Sequence, residues 1–386
     1  MTNHIAAPTS ASVTWTEHQA QRQARWRADM HGRPPKRIVI ADDTWSADLA
    51  YRTISQGAAL IWRGDFQNAR QLLQALARRI DKKKRAAEPA DLDLTARFHR
   101  HRQQQSQRAQ LLNQILIELE EDGDIALRRA PDVRLACLAA MEPLPGAELV
   151  PLRALQGYVG AYEWQKKGVE IPGLPARIHV PHGVFSPLRG EYLELAWHAE
   201  LPAGRRRAFD VGTGSGVLAA ILALRGMKQV TATDINERAL RCAAQNLERM
   251  GIGDRVVLEH ADLFPDGKAD LIVCNPPWLP VKPTSLIEQA LYDPDHAMLR
   301  AFLRDACAHL EPQGQVWLIM SDLAETLGLR PTGRLQGMFR DSGLRVIERL
   351  ETRPSHAKAR DASDPLHLAR SSEITSLWRL ECTSAP

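Results

Sequence analysis

Three glycines within seven residues, DVGTGSG at positions 210–216, mark a sharp turn between a β-rich run and a helical run. Glycine allows such a turn and lets the backbone approach a ligand closely. The next β-rich run ends with Asp234, and the two runs after it are followed by Asp262 and Asn275. In an open α/β sheet, these positions lie at the carboxyl ends of the strands and line one crevice. The sequence therefore predicts a ligand site at that edge of a sheet.

From position 151 onward, β-rich runs alternate with helical stretches. This alternation is typical of a mostly parallel sheet covered by helices on both faces. The predicted strands span 207–212, 228–235, 255–260, 269–274, 315–321, 344–350 and 373–380. The predicted helices between them span 216–224, 237–250, 298–310 and 332–341. The sequence thus predicts a doubly wound, seven-stranded α/β sheet, with 351–372 as a loop over one edge of the site.

The chain has 386 residues, a length that suits two domains. Apolar spacing predicts helices over 66–80 and 92–121, and hence an α-helical N-terminal domain used for substrate recognition or as a structural element. The predicted organisation is a partly mobile segment at 1–45, the helical domain at 46–142, a connecting and substrate-entrance region at 143–205, and the sheet domain at 206–386.

Composition excludes several classes of protein. A net charge of +4 is too small to indicate a nucleic-acid or membrane partner by itself, and no apolar run is long enough to span a membrane. The five cysteines are odd in number and widely separated, so we expect no disulfide framework and a reducing cytoplasm. His179 and His182 lack a third and fourth ligand, so we expect no metal site.

The glycine turn, the two following acids and Asn-Pro-Pro-Trp at 275–278 together resemble the class I S-adenosylmethionine-dependent methyltransferases, over roughly 175–380. The resemblance implies S-adenosylmethionine as the cofactor. The glycine loop would contact its methionine part, with Asp210 near the amino group, Asp234 on the ribose diol, and Asp262 and Leu263 on the adenine. The cofactor-binding residues that it implies are Asp210, Gly212, Thr213, Gly214, Gly216, Asp234, Ile235, Asp262, Leu263 and Asn275.

In this family, Asn-Pro-Pro-aromatic is characteristic of enzymes that methylate a planar nitrogen, which is a poor nucleophile because its lone pair is delocalised. Asn275 and the carbonyl of Pro276 can accept its two N–H groups, Pro276 and Pro277 stiffen the loop, and Trp278 can stack on the planar group. These four residues are the predicted catalytic set. The resemblance also implies that Phe185 and Pro187 form the substrate entrance.

The phrases DVGTGSGVLA, TDIN and NPPW resemble the HemK/PrmC-like protein glutamine N5-methyltransferases. This implies a protein acceptor, such as a release factor, another translation factor or a ribosomal protein. One alternative is methylation of an rRNA or DNA base (adenine N6 or guanine N2), with the basic runs at 78–85 and 97–108 on phosphates. A small-molecule acceptor and a catalytically inactive cofactor-binding module also stay open.

Overall fold

The computed structural model describes residues 11–27, 32–85, 92–141, 146–187, 190–284, 287–354, 361 and 364–383. It divides into two compact units. The N-terminal unit comprises 1–91 and 100–163, and the C-terminal unit comprises 92–99 and 164–386. No helix among the described residues is both long enough and apolar enough to cross a membrane.

The N-terminal unit contains a six-stranded mixed sheet together with helices. Its strands are β1 (Ser12–Glu17), β2 (Ala20–Trp26), β3 (Ile38–Ala41), β4 (Ala59–Trp62), β5 (Ile115–Leu119) and β6 (Glu148–Pro151). Its helices are α1 (Ala47–Ser55), α2 (Phe66–Arg85), the larger part of α3 (Leu94–Leu112), α4 (Arg134–Ala140) and the larger part of α5 (Leu152–Lys167). The strand order is β1-β2-β6-β5-β4-β3, and the β5–β6 and β1–β2 pairs are antiparallel.

The expectation of an all-helical N-terminal domain is therefore wrong, although the predicted helix beginning at Phe66 is present as α2. The second predicted helix, 92–121, is interrupted because β5 is a buried central strand of the sheet. Residues 1–45, predicted to be partly mobile, contain β1, β2 and β3, whereas 1–10 and 28–31 lie outside the described residues. The unit also extends past the predicted boundary at 142, since β6 pairs with β5 and β2.

The C-terminal unit is built on a seven-stranded sheet. Its strands are β7 (Arg207–Val211), β8 (Gln229–Asp234), β9 (Val256–His260), β10 (Ala269–Cys274), β11 (Leu310–Ser321), β12 (Leu344–Thr352) and β13 (Thr375–Cys382). Its helices are α6 (Glu191–His198), α7 (Val217–Leu224), α8 (Glu237–Arg249), α9 (Ala297–Ala306), α10 (Leu323–Thr326), α11 (Arg334–Asp341) and α12 (His367–Ser372). Short 3₁₀ turns lie at Gly253–Arg255, Ile287–Ala290, Pro294–His296 and Cys307–His309.

The order of this sheet is β12-β13-β11-β10-β7-β8-β9, with β13 antiparallel to both of its neighbours and the other pairs parallel. All seven predicted strands and the four predicted helices are confirmed, and the third of these helices ends at Ala306 rather than at 310. The doubly wound sheet predicted from the sequence is thus the observed architecture.

Alternating side chains of the central strands face opposite sides of the sheet, as the pleat requires. Ala208 of β7 joins a core cluster with α6, α7 and α8, whereas Phe209 joins a second cluster with α9 and α11. Helix α7 is buried from Val217 to Ala223, which explains its almost wholly apolar sequence. These two cores fix the carboxyl ends of β7, β8 and β10 relative to one another.

Two sequence expectations for the C-terminal part are corrected by the structure. The predicted loop 351–372 contains α12 at its end, whereas 355–360 and 362–363 lie outside the described residues. No disulfide was expected, yet Cys307 and Cys382 form one. The two cysteines are 75 positions apart, so no local pattern in the sequence indicates this bond. They meet because the antiparallel pairing of β13 with β12 brings Cys382 back beside the segment that follows α9.

Candidate active site

The glycine loop follows β7 and turns through left-handed backbone conformations. Gly212, Gly214 and Gly216 have φ values of 74°, 56° and 83°, a region that side chains disfavour. A Cβ on Gly216 would stand 3.0 Å from the Cβ of Ala243 in α8, whereas a Cβ on Gly214 would meet nothing within 4 Å. The loop is therefore packed against α8 on one side and open at Gly214.

Asp210, the last but one residue of β7, is fully buried beneath this loop. Its Oδ2 accepts the Thr213 hydroxyl at 2.7 Å and the backbone N–H of Ala219 at 2.9 Å. Its Oδ1 is buried with no hydrogen-bond partner among the described residues. Burial and, to a smaller extent, the nearby Asp234 carboxyl raise the pKa of Asp210 to about 7, although these two hydrogen bonds lower it. The carboxyl group thus has one oxygen available for a donor.

Asp234 ends β8 and is held by backbone donors from two directions. Its Oδ2 accepts the N–H of Gly214 and its Oδ1 accepts the N–H of Asn236, both at 2.9 Å. Burial raises the pKa of this carboxyl group, whereas the backbone N–H groups of Asn236, Gly214 and Ile235 and the nearby His260 lower it. Because an ionised carboxylate has about four acceptor positions, the two hydrogen bonds at 2.9 Å leave it able to accept further donors.

Three other predicted cofactor residues lie at the ends of β8 and β9. Ile235 has 62% of its surface exposed, and Asp262 is also exposed. Leu263 adopts a φ of 78°, which is rare for a branched residue, and its carbonyl accepts the hydroxyl of Thr233 at 2.5 Å. The structure therefore places this left-handed turn beside the end of β8.

The Asn-Pro-Pro-Trp segment directly follows β10. Pro276 is buried, whereas Asn275, Pro277 and Trp278 are half-buried. The indole N–H of Trp278 donates to Oδ1 of Asn275 at 3.0 Å and to the carbonyl of Ile319 at 3.2 Å. The stacking of Trp278 on the group that receives the methyl remains a prediction. The N–H of Trp278 is already hydrogen-bonded within the protein, so only the face of its ring is available to that group.

The predicted entrance segment packs along α8. Pro187 is buried and Phe185 is half-buried, while the preceding Val184 packs against Ala239 and Cys242. The ring of His179 hydrogen-bonds the carbonyl of Gln165 at 2.6 Å. No group of three or more His, Cys, Asp and Glu side chains within the described residues could hold a metal ion.

Sequence reasoning missed Asn246, which is completely buried in α8. Its Oδ1 accepts the backbone N–H of His179 at 2.8 Å, and its Nδ2 donates to the carbonyl of Ser215 at 3.1 Å. Asn246 therefore connects the entrance segment to the glycine loop. The available signal was a polar side chain on the buried face of an amphipathic helix, at the spacing of Ala239, Cys242 and Ala243.

Tyr192 of α6 is the second residue that sequence reasoning did not single out. It is 6% exposed, and burial together with the nearby Asp210 carboxyl raises the pKa of its phenol, whereas the side chain of Asn275 lowers it. Nothing in the spacing of the sequence indicates that Tyr192 lies near these two residues, since its position depends on how α6 packs on the sheet.

Comparison with known proteins finds similarity in the part of the chain that contains this site. Residues 176–344 match the family model "Methyltransferase small domain". The chain is similar to a ribosomal protein uL3 glutamine methyltransferase of Bradyrhizobium diazoefficiens, at 35% identity over 38% of this chain and 53% of that protein. A second uL3 enzyme, from Bordetella pertussis, is 39% identical over 27% of this chain and 35% of its own length.

The chain is also similar to a release factor glutamine methyltransferase of Xylella fastidiosa, at 37% identity over 31% of this chain and 47% of that protein. In each of these three comparisons the chain spans about half or less of the relative's length. The similarity thus covers part of each relative.

Proposed function

We propose that this protein transfers a methyl group from S-adenosylmethionine to a planar nitrogen, namely the side-chain amide of a glutamine in a protein. The proposal starts from residues 176–344, which match the methyltransferase small domain family. The observation that carries the proposal is the position of Asn275-Pro276-Pro277-Trp278 directly after β10. That strand pairs with β7, whose end carries the glycine loop. The proposed acceptor and cofactor groups therefore share one edge of the sheet.

The residues at this edge fit the cofactor. The buried, unpartnered Oδ1 of Asp210 suits the cationic amino group, and the remaining acceptor positions of Asp234 suit two ribose hydroxyls. The open space above Gly214 leaves room for the methionine part. The exposed side chain of Ile235, together with Asp262 and Leu263, would contact the adenine side.

When bound, S-adenosylmethionine supplies an electrophilic methyl group on a positively charged sulfur. The protein then has to hold the acceptor nitrogen in line. Oδ1 of Asn275 and the carbonyl of Pro276 would accept the two N–H groups of the acceptor amide, and the ring of Trp278 would lie against the amide plane. Orientation of this kind can lower a barrier by up to about 7 to 11 kcal/mol. As the bond from the methyl group to the acceptor nitrogen forms, the bond from the methyl group to sulfur would break and the sulfur would leave as a neutral thioether. The methylated nitrogen would lose one proton afterwards, so a strong general base is not required.

Two findings support glutamine in a protein over a nucleic-acid base. The similar proteins are named as glutamine methyltransferases that act on ribosomal protein uL3 or on release factors. In addition, two arginines of the basic runs are paired with acids: Arg79 with Asp48, and Arg108 with Asp81 at 2.8 Å. A ribosomal protein or translation factor as acceptor would place the activity in the cytoplasm.

The proposal is tested by incubating the purified protein and tritiated S-adenosylmethionine with cell extract, and then digesting separate samples with protease and with nuclease. We expect protease, and not nuclease, to release the macromolecular label. Label released by nuclease alone would identify a nucleic-acid acceptor and contradict the proposed one. Label found only in small molecules would contradict it as well.

A further inference from the structure

The side-chain amide of Asn246 lies completely buried on α8 and is fully hydrogen-bonded. Its Oδ1 accepts the backbone N–H of His179 at 2.8 Å and a guanidinium N–H of Arg249 at 3.4 Å. Its Nδ2 donates to the carbonyl of Ser215 at 3.1 Å and to Sγ of Cys242 at 3.5 Å. An amide has two donor hydrogens and two lone pairs, so no position is left for a ligand. Asn246 can therefore act only through its neighbours.

The two backbone partners of Asn246 belong to two different segments of the proposed site. Ser215 lies in the glycine loop, between Gly214 and Gly216, which both have positive φ values. His179 opens the entrance segment, residues 179–187. A backbone N–H can only donate and a carbonyl can only accept, so a rotated amide would lose both bonds. The backbone thus fixes the orientation of the Asn246 amide, which closes on both segments at once.

Cys242 contacts the entrance segment alone. It lies four positions before Asn246 on the same face of α8, and its Sγ donates to the carbonyl of His179 at 3.3 Å. The two side chains together satisfy both backbone groups of His179. Within the part of the chain that the structure describes, Cys242 makes no hydrogen bond to the glycine loop. One residue therefore holds a single segment, and the other holds both.

We propose that Asn246 is a positioning residue that holds the glycine loop and the entrance segment in place together, so that both cofactor binding and acceptor binding depend on it. Cys242 positions the entrance segment only. This inference rests on the proposed function for what the two segments bind. It adds that the cofactor site and the acceptor entrance share one buried contact, made inside the protein.

The glycine loop needs such a contact because its glycines are conformationally free. Without the donor on Asn246, the carbonyl of the buried Ser215 would have no partner, which favours a loop conformation in which that carbonyl reaches water. The N–H of Gly214 would then leave Oδ2 of Asp234, which it contacts at 2.9 Å. Loss of the internal amide would thereby disturb the carboxylate proposed to bind the ribose.

The first test separates the two contacts by substitution, with the Kd for S-adenosylmethionine measured by calorimetry. Asn246→Leu keeps a similar volume and removes both backbone bonds, so we expect its Kd to rise at least about tenfold. Cys242→Ala removes only the bond to the entrance segment, so its Kd should stay within twofold of wild type. Leu247→Val is the packing control, since Leu247 is buried in α8 and belongs to an apolar core cluster. Its Kd should also stay within twofold.

Hydrogen–deuterium exchange of the full chain follows the two segments without an acceptor. The N–H of His179 is protected by Asn246, so peptides spanning 179–187 should exchange faster in Asn246→Leu. They should also exchange faster in Cys242→Ala, whereas peptides spanning 212–216 should do so only in Asn246→Leu. With tritiated cofactor at saturation, both variants should need a higher concentration of cell extract for half-maximal labelling, and Leu247→Val should not.

Asn246→Asp tests the donor to Ser215 alone. Its ionised carboxylate keeps an acceptor for the N–H of His179 and has no hydrogen for Ser215, whereas its protonated form can donate through the O–H. Arg249 is the charged group that contacts this position, and the Cys242 thiol stays neutral because burial raises its pKa to about 12. We expect the ratio of the variant's Kd to the wild-type Kd to be at least fivefold higher at pH 8.5 than at pH 5.5.

The outcomes separate this inference from the proposed function. If the wild type labels no macromolecule, the proposed function fails, and the Kd values and exchange rates alone decide the inference. A wild-type Kd in folded Asn246→Leu would overturn the positioning role, and so would an equal rise in Leu247→Val, since the effect would then be one of packing. If Asn246→Leu does not fold, Asn246→Asp decides: a Kd ratio that is the same at both pH values overturns the role.

Discussion

The backbone N–H of Gly214 donates to Oδ2 of Asp234 across 2.9 Å. This hydrogen bond joins the glycine loop after β7 to the carboxyl end of β8. The carboxylate that would bind the ribose diol therefore also holds the loop that would contact the methionine part of the cofactor. Loss of the carboxylate should therefore weaken the binding of the ribose and also release the glycine loop.

Substitution of Asp234 should accordingly weaken cofactor binding more than it weakens the fold. We expect Asp234→Ala to raise the Kd for S-adenosylmethionine at least tenfold, because it removes a charged, two-oxygen acceptor. Asp234→Asn is the matched variant, which keeps one acceptor oxygen and should show a smaller increase. Isothermal titration calorimetry measures both, and a wild-type Kd in Asp234→Ala would contradict the assignment.

The buried carboxyl group of Asp210 predicts that cofactor binding depends on pH. Its pKa of about 7 in the free protein means that it is largely protonated at pH 6 and ionised at pH 8. Since the ionised form attracts a cationic amino group, the Kd for S-adenosylmethionine should fall as the pH rises through 7. Asp210→Asn should bind weakly and lose this component of the pH dependence. A wild-type Kd that is constant from pH 6 to 8 would contradict the role given to Asp210.

The close approach of the glycine loop to α8 predicts a stability effect at Gly216. An alanine there would have a φ of 83° and a Cβ 3.0 Å from that of Ala243. We expect Gly216→Ala to lower the free energy of unfolding by about 1 to 3 kcal/mol. Gly253→Ala is the control, because a Cβ at Gly253 meets nothing within 4 Å. If the two variants had the same free energy of unfolding in urea, a Cβ at position 216 would not destabilise the protein, and the prediction would be wrong.

The Cys307–Cys382 disulfide predicts that a reductant destabilises the purified protein. For a closed loop of 75 positions, the loss of the cross-link corresponds to about 4 kcal/mol in the chain-entropy account. We expect the urea midpoint to fall on addition of dithiothreitol, and to be insensitive to it in Cys307→Ser/Cys382→Ser. If alkylation under non-reducing denaturing conditions labels all five cysteines, the bond does not form in the isolated protein.

The C-terminal sheet was predictable because each of its strands is a short β-rich run, and helical stretches separate most of them. The polar residues at the carboxyl ends of β7, β8 and β10 also share one edge by topology alone. Asp210, Asp234 and Asn275 therefore come together as the sequence indicated. By contrast, the position of Tyr192 near Asp210 and Asn275 depends on the packing of α6, which leaves no periodic signal.

The N-terminal sheet was not predictable from the same patterns. In β5, Ile115, Leu116 and Leu119 fit the spacing of a helix face as well as they fit a buried strand, so periodicity could not separate the two. The β1–β2 hairpin turns at His18 and Gln19, with φ values of 49° and 63°. Asn-Gly is the usual sequence signal for a two-residue hairpin turn, and the His18-Gln19 pair does not match it.

The central claim is that Asn275 binds the acceptor nitrogen and, although it also belongs to the predicted cofactor-binding set, contributes little to the affinity for the cofactor. It is tested most directly by comparing wild type with Asn275→Ala for two quantities: the Kd for S-adenosylmethionine, and the amount of methylglutamine detected by mass spectrometry in acceptor protein from a tritium-labelled extract. We predict a Kd within a few-fold of wild type and no methylglutamine above background. Undiminished methylglutamine in the variant, or loss of cofactor binding equal to the loss of transfer, would contradict the account.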